Sequence, residues 1–385
     1  MKLLFAGDAV IQNADNFSLS SELSDFIKNH DYSIINFEGS LKGASPFPIK
    51  KIGPNVYNCN ESISVLKDNG FNIFTLANNH IVDFGTGSCN ETLEKSRSAG
   101  IKTVGAGSSF EDCYQPLIIE KDDEKIAIIN CCHAEFGVYK DKNIPLDAGY
   151  AWINSSVIDE KIAECKKDGC FVIVIAHAGV EFIPLPFPEW RERYKTFIDK
   201  GADLIIGGHP HTIQGQETYK EKKIFYSLGN FYFINENKKS DFDWNHGLLV
   251  SFDTKTFESK LFFTEIKDNQ VCLCHDNAAQ NNFEKRSNLL KDDSIYYPKI
   301  NEIITDLWNK IYKPLYEDVP NFINARNHFI KNLFKYFAKK FIFKSKFQKD
   351  LNETLLLHNI QIESHRYVAE RYLYIQNIKL NRLGK

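Results

Sequence analysis

The sequence predicts a mixed α/β domain followed by a helical region. Short apolar runs rich in β-branched residues recur over the first two thirds of the chain. Each stops at glycine or a polar residue, as buried strands do. Amphipathic helical segments alternate with them, the pattern of strand–helix–strand crossovers. After about residue 278 the strand signal ends. Residues 1–278 therefore read as one α/β domain and 279–385 as a helical C-terminal region. At 385 residues the chain exceeds one small core.

Residues 2–6 form the first strand, ending in Gly7-Asp8. Leu19, Leu23, Phe26 and Ile27 fall at helical spacing over 19–30, with Ser20 or Ser21 as N-cap. Tyr32 to Ile35 is the second strand and exits into Asn36-Phe37-Glu38-Gly39. The loop 42–54, rich in proline and lysine, reads as a lid whose Lys50 and Lys51 meet an anionic substrate. A helix over 61–69 precedes the strand 72–76, which exits into Asn78-Asn79-His80 and then Asp83. A helix over 87–99 leads to a short strand at 103–104 and a paired 116–120 and 125–131. The loop that follows carries His133 and Glu135, to which the sequence assigns no role.

A helix over 155–167 precedes the strongest strand, 171–176, which exits into His177 and then Glu181. Pro184, Pro186 and Pro188 stiffen the next loop, and a helix covers 189–199. The strand at 204–206 ends in Gly207-Gly208-His209-Pro210-His211. Pro210 fixes its own φ and predicts extended geometry at His209. Ile224 to Ser227 is a further strand, ending at Gly229-Asn230, and 247–252, 259–266 and 271–274 form a β-rich edge.

Polar groups thus stand at strand end after strand end: Asp8, Glu38, Asn79 with His80, His177 with Glu181, His209 with His211, and Asn230. With the strands side by side, they converge on one edge, where open α/β sheets bind ligands. Carboxylate, amide oxygen and neutral imidazole together suit a divalent ion such as Mn²⁺, Fe²⁺ or Zn²⁺.

These stretches resemble the capsule-synthesis CapA (also called PgsA) family, a branch related to the calcineurin-like metallophosphoesterases. The matching pieces are Ala6-Gly-Asp8, Asn36-Phe-Glu-Gly39, Ala77-Asn-Asn-His-Ile-Val-Asp83 with Gly85, His177-x-Gly-x-Glu181, Gly208-His-Pro-His-Thr-Ile-Gln214 and Tyr226-Ser-Leu-Gly-Asn-Phe231. They occur in family order over about residues 1–250. The resemblance implies a four-layer αββα metallophosphoesterase-like sandwich with metal at the strand ends. It implies a metal-dependent phosphoesterase linked to capsular polysaccharide or poly-γ-glutamate synthesis. Asp8, Glu38, Asn79, His177, His209 and His211 match metal-ligand positions, and His80 matches the catalytic histidine; Asp83 either orients His80 or caps the helix that follows. Asn36, Glu181, Asn230 and Lys50 are expected to support the ligands or contact substrate, with Glu181 as a partner of His177. Val10 stands where the related enzymes carry the histidine of Asp-x-His. Whether one ion or two bind stays open at this point.

The net charge of −3 argues against nucleic acid as partner. The nine cysteines form no C-x-x-C, so reduced thiols are expected. The apolar run at the start is too short for a signal peptide and no stretch reaches a membrane span, so the expected location is cytoplasmic. Phe329, Ile330, Leu333, Phe334, Phe337 and Phe341 fall at helical spacing among the lysines of 326–349. That basic amphipathic stretch fits a helix packed on the α/β domain with a solvated lysine face, peripheral contact with the inner membrane face, or a lysine face for an anionic polymer. The second function class consistent with the sequence is a non-hydrolytic scaffold that binds the polymer or its synthase.

Overall fold

The computed structural model describes residues 1–43, 47–313, 355, 357–359 and 361–382, with side chains as far as 376. Two compact units divide the chain. One comprises Met1–Ile49 with Asn55–Tyr296, and the other Lys50–Pro54 with Tyr297–Lys385.

The first unit is built on two sheets. One runs from edge to edge as Ser18–Leu19, Gln270–Leu273, Ser259–Lys267, His246–Asp253, Lys2–Val10, Tyr32–Phe37, Ile73–Thr75 and Lys102–Val104. Its last four strands are parallel, and Asn230–Phe233 pairs beside the end of Lys2–Val10. The other runs Gln216–Tyr219, Lys222–Phe225, Leu204–Gly208, Phe171–His177, Glu124–Cys132 and Leu117–Lys121, with its four inner strands parallel. Parallel strands are buried on both faces, which is why these segments read as near-continuous apolar runs.

The two sheets share one core. Leu3, Phe5, Ile34 and Ile73 from one meet Ile126, Ile128, Ile173, Leu204 and Phe225 from the other. Each such side chain contributes about 1.5–3 kcal/mol when fully buried. The outer face of the first sheet packs the helices Ser21–Lys28, Ser62–Asp68 and Gly85–Ser98 through Leu23, Ile27, Ile63, Leu66, Cys89 and Leu93. Helices Ser156–Lys167 and Pro188–Lys200 cover the second sheet. The fold is thus the four-layer αββα sandwich expected.

The predicted helices sit close to their predicted places. Ser20 caps the first, its hydroxyl accepting from the Leu23 amide at 3.3 Å. One difference concerns the domain boundary. The helix Ala278–Leu289 stays in the α/β unit, although the sequence pattern puts 279 onward in the helical region. Ala279 and Phe283 enter the inter-sheet core, and the Ser287 hydroxyl accepts from the Gln216 amide at 3.0 Å. A second difference concerns His209. Its φ is 94°, left-handed rather than extended, and His211 follows with φ 54°.

Apart from the irregular Lys50–Pro54, the second unit is almost wholly helical where described. Trp308 stacks on Tyr372 at 4.8 Å and Tyr312 meets His365 edge-on at 4.9 Å. The basic stretch 326–349 lies outside the described residues. Among the described residues, no helix is long and apolar enough to cross a membrane. All nine cysteines are free thiols, and burial pushes that of Cys131 up to about 12.

Candidate metal centre

The parallel strands of both sheets point their carboxyl ends to one place, and the polar strand-end residues meet there. Asp8 lies inside the first strand, which runs on to Val10 beyond the expected 2–6, at an irregularity in its pairing between Ala6 and Asp8. Gly7 is required just before it, because a Cβ there would stand 1.9 Å from the Gly229 carbonyl oxygen. That contact lets the Asp8 amide donate to the same oxygen at 3.0 Å. Glu38 leaves the neighbouring strand. Its loop is tied by Asn58, which donates to the Glu38 carbonyl at 2.7 Å and accepts from the Ile11 amide at 2.7 Å. Asn78 brackets the next loop. It accepts from the Gly39 and His80 amides at 3.0 and 3.3 Å and donates to the Phe37 carbonyl at 2.9 Å.

The side chains so placed form one buried cluster. Asn36 donates to Asp8 Oδ1 at 2.7 Å and faces His177 Nδ1 at 3.1 Å. His177 Nε2 donates to Asn79 Oδ1 at 3.1 Å. His211 Nδ1 donates to Asn230 Oδ1 at 2.9 Å, which leaves Nε2 as the lone-pair nitrogen. That Nε2 stands 3.7 Å from Glu38 Oε1. His80 Nε2 and His177 Nε2 stand 3.8 and 4.0 Å from the same oxygen. Gly208 makes room, since a Cβ there would lie 3.1 Å from Asp8 Oδ1.

Both Glu38 oxygens are buried and lack a hydrogen-bond partner. A carboxylate left so is costly unless a cation compensates it. Two donors each about 2.1 Å from one ion stand about 3–4 Å apart, which matches the imidazole-to-Glu38 separations. Asp8, Glu38 and His211 offer ligand atoms all within 4.8 Å of one another. Electrostatics point the same way. Burial pushes the Asp8 carboxyl up to about 7, against the lowering hydrogen bonds from Asn36 and the His209 amide. Burial, then the nearby Asp8 charge, holds Glu38 well above the usual carboxylate range. Burial pushes His211 down to about 4 and His177 and His209 well below the ordinary imidazole value, so these rings are neutral. Neutral imidazoles around carboxylates that need a cation form a donor set fit for a divalent ion.

His80 is held differently from the other rings. Its Nδ1 donates to Asp83 Oδ2 at 2.7 Å, and Asp83 also accepts from the Val56 amide at 2.8 Å. Asp83 is therefore the orienter of His80, while the N-cap position of the next helix is Phe84.

Not every sequence-predicted residue joins as expected. Asn36 and Asn79 face the two ring nitrogens of His177, the places expected for Glu181. The Glu181 charge also raises Glu38. Lys50 is exposed and belongs to the second unit. Val10 is buried and pairs with Phe233 in the sheet, supplying no ligand.

The residues without a sequence-assigned role are His133 and Glu135. They sit at 0 and 6 % exposure just past the strand Glu124–Cys132, with His133 Nε2 2.8 Å from Glu135 Oε1. The His133 ring meets that of His209 edge-on, with centroids 4.4 Å apart. Their signal was the one carried by the others, a polar pair immediately after an apolar strand.

The family model of the bacterial capsule synthesis protein PGA_cap matches residues 2–235. The capsule biosynthesis protein CapA of Bacillus anthracis is 30 % identical over 258 residues, covering 65 % of this chain and 58 % of its own. The PGA biosynthesis protein CapA of Bacillus subtilis is 32 % identical over 205 residues, covering 53 % of each. The chain thus spans little more than half the length of these relatives. Among solved structures, a hypothetical protein from Thermus thermophilus aligns with a TM-score of 0.44 at 13 % identity, over 69 % of this chain and 99 % of its own.

Proposed function

The chain belongs to the PGA_cap family of bacterial capsule synthesis proteins, and from that premise we propose that it is a metal-dependent phosphoesterase. Its substrate is a phosphorylated sugar, a lipid-linked intermediate or an anionic polymer of surface polysaccharide or poly-γ-glutamate assembly. The observation that carries this reading is the His80–Asp83 pair aimed at Glu38. A protein that only held a polymer would have no use for an oriented proton-transfer group beside a carboxylate that needs a cation.

Asp8, Glu38 and His211 would hold a divalent ion of the Mn²⁺, Fe²⁺ or Zn²⁺ class, with Asn79 and His177 completing the donor set and His209 standing beside it. Such an ion, when bound, acidifies water and polarises a phosphoryl oxygen. The protein's own part is positional. Asn230 fixes the His211 tautomer, Asn36 fixes Asp8, and Asp83 keeps the His80 proton on Nδ1. His80 Nε2 is left to donate to charge developing on phosphorus or to the leaving oxygen, once protonated. Phe182 stands 46 % exposed at 6.2 Å from the His211 ring, with Lys238 Nζ 4.6 Å above it. An aromatic face with a cation over it suits a sugar ring carrying an anionic group.

The test is turnover of a bis-aryl phosphodiester and an aryl phosphate by the Mn²⁺-loaded protein, beside His80→Gln. Turnover that falls about 10²–10⁴-fold in the variant at unchanged metal content supports the assignment. Equal turnover removes His80 from the mechanism. Val10 favours the scaffold reading. Polymer binding without any turnover by the loaded wild type would establish it.

A further inference from the structure

We propose that His133, Glu135 and His209 hold a divalent ion of their own, beside the position formed by Asp8, Glu38 and His211. The inference rests on the reading that this pocket is a metal centre and adds a second ligand set from the second sheet. His133, Glu135 and His209 each offer a ligand atom, all within 4.8 Å of one another, and all three are buried.

Three features make this a built site. The backbone of the 133–135 segment is clamped by Tyr150, whose hydroxyl accepts from the Glu135 amide at 2.9 Å and donates to the His133 carbonyl at 3.1 Å. The His133 amide donates to the His177 carbonyl at 3.2 Å, which ties the segment to a strand that carries part of the first set. The His133 ring lies against Trp190, centroids 5.8 Å apart and planes 29° from parallel.

Second, the hydrogen bond between His133 and Glu135 does not satisfy the group. His133 Nδ1 and His209 Nδ1 are both buried without a hydrogen-bond partner. Third, His209 takes a left-handed φ of 94° that a side chain rarely adopts. Backbone strain of this kind persists where surrounding structure enforces it, and it gathers at ligand sites. Its amide donates to Asp8 Oδ2 at 3.2 Å, so one residue joins the two ligand sets.

The chemistry of the set is two imidazole nitrogens and one carboxylate oxygen. Those donors suit a borderline ion such as Zn²⁺, and three protein ligands leave a position for solvent or a substrate oxygen. A pair of ions so placed would face the same pocket from the two sheets.

The test strips the full chain with chelator, titrates it with Zn²⁺, and counts bound zinc by mass spectrometry and calorimetry. The expected wild-type stoichiometry is two. His133→Gln and Glu135→Gln, which keep the side-chain bulk, are each expected to bind one. His211→Ala is also expected to keep one, and His211→Ala with Glu135→Gln none. Melting of each variant in chelator, matched to wild type, checks folding, and each Gln variant serves if the other fails. A wild type that binds one ion lost in His211→Ala overturns the second site and leaves the proposed function standing. Two ions retained by both Gln variants also overturn it. A wild type that binds no zinc, manganese or iron overturns both.

Discussion

At Glu38, what a residue is and what it needs differ. Its carboxyl is buried, without a hydrogen-bond partner, and surrounded by neutral imidazoles, an arrangement that becomes favourable only with a cation. Protons compete for that role. Asp8 keeps its proton up to about 7 and must lose it to ligate. Affinity for Mn²⁺ is therefore expected to weaken about tenfold per pH unit below about 7, one proton taken up for each ligand freed. Calorimetric titrations at three pH values spanning that range would check this, and a flat profile would show that Asp8 is already ionised. Gly208→Ala is the matching steric test. Its Cβ would press on Asp8 Oδ1 at 3.1 Å, so metal affinity should fall while the fold, read by circular dichroism, persists. At Asp83 the expected effect is on orientation. Asp83→Asn, which can no longer accept the Nδ1 proton as a carboxylate does, should lower turnover and leave bound metal unchanged.

Loops and helices carry the site through buried polar brackets. Asn78 joins the Glu38 loop to the His80 loop through amides at both ends. Asn78→Ala leaves those buried amides unpaired, at about 1–3 kcal/mol each. Chemical denaturation should show a loss of that size, and a neutral result would mean water takes the place of the side chain. The helix Pro188–Lys200 is anchored differently. Its Arg191 donates to both Glu217 oxygens at 2.9 and 2.8 Å, to Asp293 at 2.6 Å and to the Leu290 carbonyl at 2.9 Å. Those contacts pull the end of the helix Ala278–Leu289 onto the sheet edge at Gln216–Tyr219. Arg191→Met removes one partner of a buried ion pair and is expected to cost about 3–5 kcal/mol.

At the largest scale, the layered architecture of the first unit builds the candidate metal centre from residues far apart in sequence. Asp8 and His209 touch across 201 positions of chain. An ion bound only by the folded state adds to stability by mass action, about 4 kcal/mol at a thousandfold excess over its dissociation constant. Chelation should therefore lower the melting temperature in wild type and have little effect in His211→Ala combined with Glu135→Gln. An equal drop in the double variant would place the stabilising ion elsewhere.

Much of this was legible before any fold was seen, because strand periodicity and strand-end chemistry are local properties. Apolar β-branched runs marked the parallel strands, and the residues just past them marked Asp8, Glu38, Asn79, His80, His177, His209 and His211. Partnership was legible only where it is local, as for His80 and Asp83 three residues apart. Which amide fixes His177 depends on distances between segments that only packing of two sheets creates. His133 and Glu135 carried the same strand-end signal as their neighbours. They gained a role only when the parallel strands Glu124–Cys132, Phe171–His177 and Leu204–Gly208 lay side by side in the second sheet and brought the His133 ring against His209. The left-handed turn at His209 was likewise decided by tertiary structure. A proline after it disfavours helical geometry locally, but only the surrounding contacts can hold a strained φ and turn a local preference into a ligand site.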